Sequence, residues 1–113
     1  MTNKQIFERG ELIWVLFNPQ KGHEQAGRRP ALVISPAAYN AVSNCIIVCP
    51  ITSNTSPWPW KVDLPDDMDI KGCVLVDQAK SLDVLARKAE PANLTLSASL
   101  MDEVLAKLAT LTS

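Results

Sequence analysis

The most concentrated set of reactive side chains lies between residues 21 and 30, directly in front of an apolar segment. This loop carries His23, Glu24 and Gln25, followed by Arg28 and Arg29. An arginine presents a planar fork of donors that suits a phosphate, and it keeps its charge at any physiological pH. A carboxylate can accept a proton or hold an arginine in place, and an imidazole titrates near neutrality. The residues alone leave two interpretations open: a solvated loop with a Glu–Arg ion pair, or a site for a phosphodiester or another anion.

Polar side chains also stand where two apolar segments end. Thr52 and Ser53 follow a β-type run, and their hydroxyls could cap a turn or donate to a phosphate oxygen. Asp77 and Gln78 follow the apolar residues 74–76, so that this carboxylate lies either on the solvent face or in a site. The sequence does not decide between these alternatives.

A third candidate is the aromatic segment from Trp58 to Lys61, which reads Trp-Pro-Trp-Lys. Exposed aromatic rings beside a lysine can stack on unpaired bases while the amine holds the backbone. Alternatively, Trp60 covers the hydrophobic core and takes no part in binding.

Several familiar types of site are absent from the sequence. It contains no Gly-rich phosphate loop, no G-x-S-x-G nucleophile motif and no H-E-x-x-H motif. A single histidine and three cysteines without a C-x-x-C pair give no pattern typical of a zinc site. We therefore expect neither a metal nor an organic cofactor.

Composition predicts one domain over residues 1–113 with a substantial buried core, since 47% of the residues are hydrophobic. The formal net charge is -1, so any nucleic-acid partner must be attracted by a local patch of cations. The N-terminus has no apolar leader, and no apolar run is long enough to cross a bilayer. We expect a cytoplasmic protein that does not associate with membranes.

The alternation of apolar residues, and the glycine, proline and polar residues that interrupt the apolar runs, predict five or six short strands before one helix. The expected strands span residues 11–17, 31–35, 45–52, 60–64 and 73–78, with residues 81–87 either continuing the sheet or forming a turn. The strand at 11–17 is apolar on both faces, and Pro50 within 45–52 indicates a bulge or an edge strand. Pro91 is expected to separate the sheet from a helix over 98–111, whose leucines recur at helical spacing. The pattern predicts a mainly β fold, a curved antiparallel sheet or partial barrel covered by helices.

Four ordered motifs resemble the MazF/PemK (Kid) family of toxin endoribonucleases. They are the G-x-x-W strand, the loop K-G-H-E-Q-x-G-x-R-P, the tripeptide P-I-T and the motif D-Q-x-K-S-L-D, and the similarity continues through the terminal helix. The resemblance implies an SH3-like partial barrel of the MazF/PemK/CcdB type with a C-terminal α-helix. It also implies a homodimer that cuts single-stranded RNA, including mRNA, at short sequences without a metal. Attack by the RNA's own 2′-hydroxyl would leave a cyclic phosphate and a 5′-hydroxyl.

The resemblance carries over to individual positions. It implies Arg29 as the principal catalytic cation, Thr52 as its partner at the scissile phosphate and Glu24 as the active-site acid. His23, Gln25 and Ser53 match positions that line the groove in the family. The arginine, aromatic and strand-end groups described above, together with the lysine of the D-Q-x-K-S-L-D motif, complete the expected RNA-binding set: His23, Gln25, Arg28, Ser53, Trp58, Lys61, Asp77, Gln78 and Lys80.

One position departs from the PemK/Kid branch of the family. That branch pairs an acid-acting arginine with an aspartate base two residues later, and here Leu75 stands two residues before Asp77. Asp77 therefore lacks the partner that this mechanism requires, and the MazF-like set of Glu24, Arg29 and Thr52 is favoured. The group that removes the 2′-proton stays open.

The resemblance also implies a cognate MazE/PemI-like antitoxin with an acidic, flexible tail. Such a tail could mimic RNA phosphates at Lys21, Arg28 and Arg29, so its affinity should fall as salt rises. Two alternatives share the fold without catalysis. One is a CcdB-like topoisomerase poison, although the C-terminal sequence ATLTS lacks the aromatic residue used by that branch. The other is a module that binds RNA or antitoxin without cleaving.

Overall fold

The computed structural model of the protein describes residues 5–17 and 27–113. In these two segments the chain forms seven β-strands, two α-helices and one short 3-10 helix. In chain order the elements are β1 (Glu11–Leu16), β2 (Arg28–Val33), α1 (Ala37–Val42), β3 (Cys45–Thr52), β4 (Lys61–Asp63), β5 (Cys73–Leu75), the 3-10 helix (Val76–Gln78), β6 (Lys80–Asp83), β7 (Glu90–Thr95) and α2 (Ala98–Thr112).

The seven strands form one antiparallel sheet with the order β4-β5-β3-β2-β1-β7, and β6 also pairs with β3. The first half of β3 pairs with β6, from Cys45 to Val48, and its last two residues pair with β5. Pro50, which has no N–H to donate, lies between these two pairings and opposite Ala31 of β2. β3 is thus an internal strand that changes neighbour near Pro50, where the sequence had suggested a bulge or an edge.

Both faces of β1 are buried, as its unbroken apolar sequence predicts. Leu12 belongs to a core between the sheet and α2, where Met101 and Val104 of the helix are buried. Ile13 and Val15 point to the other face and join a second core. The other buried members of this second core are Phe7, Ala31, Val33, Ile46, Val48 and Leu82. Two cores on one curved sheet fix the ends of β2 and β3, which carry most of the candidate site residues.

β7 is the main departure from the expected fold, because it contains Pro91, which is expected to separate the sheet from the helix. The strand pairs with β1 at the end of the sheet, with a register shift between Leu12 and Ile13. Asn93 has a φ of 61°, so the strand is irregular as well as peripheral. Proline and irregular backbone are tolerated at a sheet edge, where one side of the strand has no neighbour.

Two of the other boundary differences affect the candidate site residues. β2 begins at Arg28, three residues earlier than predicted, so both candidate arginines lie in a strand and not in a loop. The expected strand over 73–78 divides into β5 and the 3-10 helix, which places Asp77 and Gln78 on a helical turn. By contrast, β3 has the predicted bounds, and α2 begins where it was expected.

α2 packs most of the predicted leucine and methionine stripe against the sheet, with Leu111 near its end exposed, and Ser97 caps its first turn. The Ser97 hydroxyl oxygen accepts a hydrogen bond from the backbone N–H of Leu100 at 3.3 Å. Neither helix among the described residues is long and apolar enough to cross a membrane.

We expect Ser97→Ala to lower the free energy of unfolding by about 1 kcal/mol, because the Leu100 N–H loses its acceptor. Urea denaturation followed by circular dichroism measures this change. Ser97→Gly should cost only a few tenths of a kcal/mol, since glycine is itself tolerated at the N-cap. Equal losses from the two substitutions would contradict a capping role for the hydroxyl.

Candidate functional site

An open cleft of about 440 Å³ lies where β2 and β3 leave the two cores. It brings together five of the residues predicted to act on RNA: Arg29, Thr52, Ser53, Gln78 and Lys80. Its other lining residues are Phe17, Pro30, Pro50, Ile51 and Lys71. Residues distant in sequence therefore meet because β1, β2, β3, β5 and β6 are neighbours in one sheet.

Arg29 and Thr52 face this cleft from adjacent strands. The pairing of β2 with β3 is described from Ala31 opposite Pro50, and the same register continued by two residues sets Arg29 opposite Thr52. Arg29 is exposed and Thr52 is half-buried. The Thr52 hydroxyl oxygen accepts a hydrogen bond from the Asn54 N–H at 3.1 Å, which orients it and leaves its own proton to donate to a ligand.

Arg28, although adjacent to Arg29 in sequence, has a different environment. Its guanidinium forms an ion pair with the Glu90 carboxylate of β7, and its side chain is 34% exposed. Successive side chains of a strand point to opposite faces, so one arginine reaches the cleft while the other turns away. Arg28 is absent from the cleft lining, and the structure does not bring it together with Arg29 and Thr52.

Three cations concentrate positive charge in the cleft. Arg29, Lys71 and Lys80 all line it, and within the described residues none of them forms an ion pair. The Lys80 ammonium lies 5.1 Å from the centroid of the Phe17 ring, a cation–π distance that holds the amine beside the cleft. A protein of net charge -1 thus presents a local surface that attracts anions.

A family model described as a PemK-like, MazF-like toxin of type II toxin-antitoxin system matches residues 8–112. The chain belongs to the PemK/MazF toxin family. Among its relatives, the endoribonuclease toxin MazF of Escherichia coli K12 is 40% identical over 89 residues, which cover 79% of each chain. The endoribonuclease PemK of Escherichia coli is 36% identical over 116 residues, covering 98% of this chain and 86% of the relative.

Solved structures of the PemK/MazF family agree with the fold. MazF from Deinococcus radiodurans superposes with a TM-score of 0.85 at 44% identity, covering 96% of this chain and 98% of that one. A chain in a MazE–MazF crystal structure from the same organism gives a TM-score of 0.84 at 38% identity, covering 97% and 98%. These likenesses confirm the predicted mainly β, MazF-like fold with a C-terminal helix.

Lys71 also lines the cleft, although the sequence does not mark it as a site residue. It precedes Gly72, which has a φ of 125° and lies against the backbone of Thr52. A Cβ on Gly72 would stand 2.0 Å from the Thr52 carbonyl oxygen, so only glycine fits there. This contact brings the connection between β4 and β5 onto the end of β3, and Lys71 into the cleft. The sequence feature that points to this contact is the single glycine, Gly72, in front of the apolar residues 73–76.

Trp58 and Lys61 lie in a neighbouring groove of about 510 Å³ and not in the cleft. The Lys61 amine donates to the carbonyl oxygens of Asn54 and Ser56 at 2.8 and 2.7 Å, so it fixes the loop that follows Thr52. Trp58 is 49% exposed. Its ring centroid lies 5.7 Å from that of Trp60. The exposed Trp58 ring is free to stack on a base, whereas the Lys61 amine is engaged in holding the loop.

Asp77 and Gln78 separate from each other on the 3-10 helix. Gln78 lines the cleft, while the Asp77 carboxylate accepts a hydrogen bond from the Trp58 indole N–H at 3.0 Å.

Burial, together with the Asp77 charge, raises the pKa of the Cys49 thiol to about 12. A thiol with that pKa is protonated at neutral pH, so Cys49 does not supply a nucleophile.

Three predicted site residues, His23, Glu24 and Gln25, lie outside the described residues, as does Lys21. The residues that bracket this segment are described: the Phe17 N–H donates to the Gly27 carbonyl oxygen at 3.1 Å. Phe17, the last described residue before this segment, also lines the cleft. Within residues 5–17 and 27–113, no three His, Cys, Asp or Glu side chains are placed to share a metal ion.

Proposed function

We propose that this protein is an endoribonuclease toxin that cleaves single-stranded RNA, including mRNA, at a short recognition sequence without a metal ion. The observation that carries the proposal is the cleft, where Arg29 and Thr52 meet beside two lysines. The names of the relatives support it, because MazF, PemK and ChpB of Escherichia coli are all endoribonucleases. An anionic, extended and flexible polymer matches an open, positively charged cleft better than a compact neutral ligand does.

In the proposed reaction the RNA supplies its own nucleophile. The 2′-oxygen forms a bond to phosphorus while the bond from phosphorus to the 5′-oxygen breaks. A base takes the 2′-proton and an acid gives a proton to the 5′-oxygen, so the products are a 2′,3′-cyclic phosphate and a 5′-hydroxyl. No external water, metal or cofactor enters this step.

Arg29 and Thr52 have distinct roles in that step. Negative charge accumulates on the non-bridging phosphate oxygens in the transition state, and a guanidinium already in place stabilises it without reorganisation. The Thr52 hydroxyl, oriented by the Asn54 N–H, donates to one of those oxygens. Glu24, by family resemblance, is the acidic residue of the site and joins Arg29 and Thr52 in the proposed catalytic set.

The cleft also gives a physical basis for inhibition by an antitoxin. We infer that a cognate antitoxin covers the cleft with an acidic flexible segment, whose carboxylates replace RNA phosphates. The MazE–MazF structures from Deinococcus radiodurans, whose MazF chains resemble this one closely, support such a partner. A homodimer, in which two clefts flank one RNA strand, is part of the same proposal.

The test is cleavage of a mixed-sequence single-stranded RNA by the purified protein in EDTA, followed by mapping of the cut position. A second RNA carries one 2′-deoxy nucleotide at that position. We expect the all-ribose RNA to be cut to fragments ending in cyclic phosphate and 5′-hydroxyl, and the deoxy-substituted RNA to resist at that site. Cleavage that needs added Mg²⁺, or that still cuts the deoxy position, would overturn the mechanism. Growth arrest by a protein that cuts no RNA would instead support the non-catalytic, CcdB-like alternative.

A further inference from the structure

Thr52 has a cation on each side of it in the sheet. Arg29 belongs to β2, which pairs with one edge of β3, and Lys71 lies two residues before β5, which pairs with the other edge. Adjacent strands are about 4.8 Å apart, so β2 and β5 are separated by about 10 Å across β3. The two side chains can therefore contact different phosphates of one strand lying across Thr52.

Lys71 has hydrogen-bonding capacity to spare. Its ammonium donates to the carbonyl oxygen of Asp66, and an ammonium has three N–H bonds. Within the described part of the chain Lys71 forms no ion pair, and its side chain is exposed at the cleft. The Asp66 contact restrains the long side chain without neutralising it.

The position of Lys71 is coupled to that of Thr52 through Gly72. The Gly72 Cα packs so close to the Thr52 carbonyl that no side chain could fit between them. Cys73, the next residue, is paired with Thr52 across the sheet. The backbone at Lys71 is therefore built onto the same strand end that carries the candidate catalytic hydroxyl.

We propose that Lys71 binds an RNA phosphate adjacent to the scissile one, and that Arg29 and Lys71 hold the strand from opposite sides of Thr52. The inference rests on the proposed function, since it needs RNA in the same cleft. A lysine that contacts a phosphate acts as a point charge on a flexible stem, and a phosphate contact carries no sequence information. Lys71 therefore adds affinity to every RNA sequence to a similar degree and sets the position of the strand.

The test measures binding to an RNA that cannot be cut at the mapped position, so that cleavage does not interfere with the measurement. The ligand is the single-stranded RNA with a 2′-deoxy nucleotide at the cut position, and its Kd is measured from about 50 to about 200 mM salt. For single strands the logarithm of the binding constant falls with a slope of about 0.7 per phosphate contact. Lys71→Met, which keeps the apolar stem, should reduce the slope by about 0.7, equivalent to about a 2.6-fold smaller loss of affinity over that range. Lys71→Arg should restore the wild-type slope.

Lys88→Asn is the matched control. It removes one positive charge from the same protein at a residue that does not line the cleft. Lys88 has a φ of 51°, a conformation that asparagine tolerates, so the substitution should not disturb the turn. We expect its salt slope to equal that of the wild type.

The outcomes separate this inference from the proposed function. If the wild type binds RNA but Lys71→Met keeps the same slope, the phosphate contact is wrong and the nuclease proposal stands. The phosphate role is also overturned if Lys71→Met weakens binding to some sequences only, because that result indicates base recognition. If the wild type neither binds nor cleaves RNA, both proposals fail. Thermal unfolding of each variant confirms that the exposed substitutions leave the fold intact.

Discussion

Replacement of Arg29 by alanine is expected to lower the rate of RNA cleavage by about 10²- to 10³-fold, the usual cost of losing one preorganised donor to a transition-state oxyanion. The guanidinium is exposed at the cleft and forms no ion pair within the described residues, so its removal leaves no buried charge unpaired. The fold should therefore survive while the charge-stabilising group is lost. Single-turnover cleavage at saturating enzyme measures this effect on the chemical step.

Arg28→Ala is the control for that experiment. It removes the same charge one residue away, but from a side chain that is paired with Glu90 and turned away from the cleft. We expect its cleavage rate to stay within a few-fold of the wild type because the Arg28 side chain does not line the cleft. Its stability should change by no more than about 1 kcal/mol, the usual contribution of a surface ion pair. Arg29→Lys should keep part of the activity, because it retains the charge and loses the two-pronged donor geometry. Equal losses from Arg28→Ala and Arg29→Ala would argue against a specific role for Arg29.

The second large effect is expected from Gly72→Ala, which should lower the free energy of unfolding by about 3–5 kcal/mol. Part of the cost is the positive φ, which L-residues rarely adopt, and part is the clash with the Thr52 carbonyl oxygen. Because that clash lies at the end of β3, the surviving folded protein should also cleave RNA poorly. Urea unfolding measures the stability, and cleavage at low temperature measures the activity of the folded fraction.

Gly10→Ala separates the two costs. Gly10 also has a positive φ, 99°, but a Cβ there would meet its nearest atom at 3.8 Å, an ordinary contact. We expect this variant to lose about 1–2 kcal/mol from backbone conformation alone, with normal cleavage by the folded protein. If both alanine variants lost equal stability and kept full activity, the close packing of Gly72 on Thr52 would have no functional importance.

Much of the fold follows from local pattern, and the errors have local causes. β3 and α2 were predicted well because an apolar run or a helical stripe there is bounded by clear polar residues. β7 was missed because Pro91 and Asn93 are typical of loops, and only pairing with β1 makes that segment a strand. The short 3-10 helix after β5 likewise depends on tertiary contacts that periodicity does not report.

The candidate site was predictable in its residue types more than in its arrangement. The structure places Arg29, Thr52, Ser53, Gln78 and Lys80 around one cleft, and their roles toward RNA stay a prediction. The sequence places Arg28 and Arg29 together in a loop, whereas β2 begins at Arg28 and its alternation sends the two side chains to opposite faces. Lys71 escaped notice because it reaches the cleft only through the packing of Gly72 against a strand about 20 residues earlier in the chain, a long-range contact without a sequence pattern.

The irregularity of β7 has a consequence for the protein in concentrated solution. A regular outer strand presents a row of free N–H and C=O groups, on which strands of other molecules can assemble into aggregates. In this sheet the outer strand β7 is interrupted by Pro91, which has no N–H, and twisted at Asn93, while β4 at the opposite end is only three residues long. Pro91 and Asn93, which are atypical of a strand, make β7 a poor template for intermolecular strand addition and so oppose edge-to-edge aggregation at this end of the sheet.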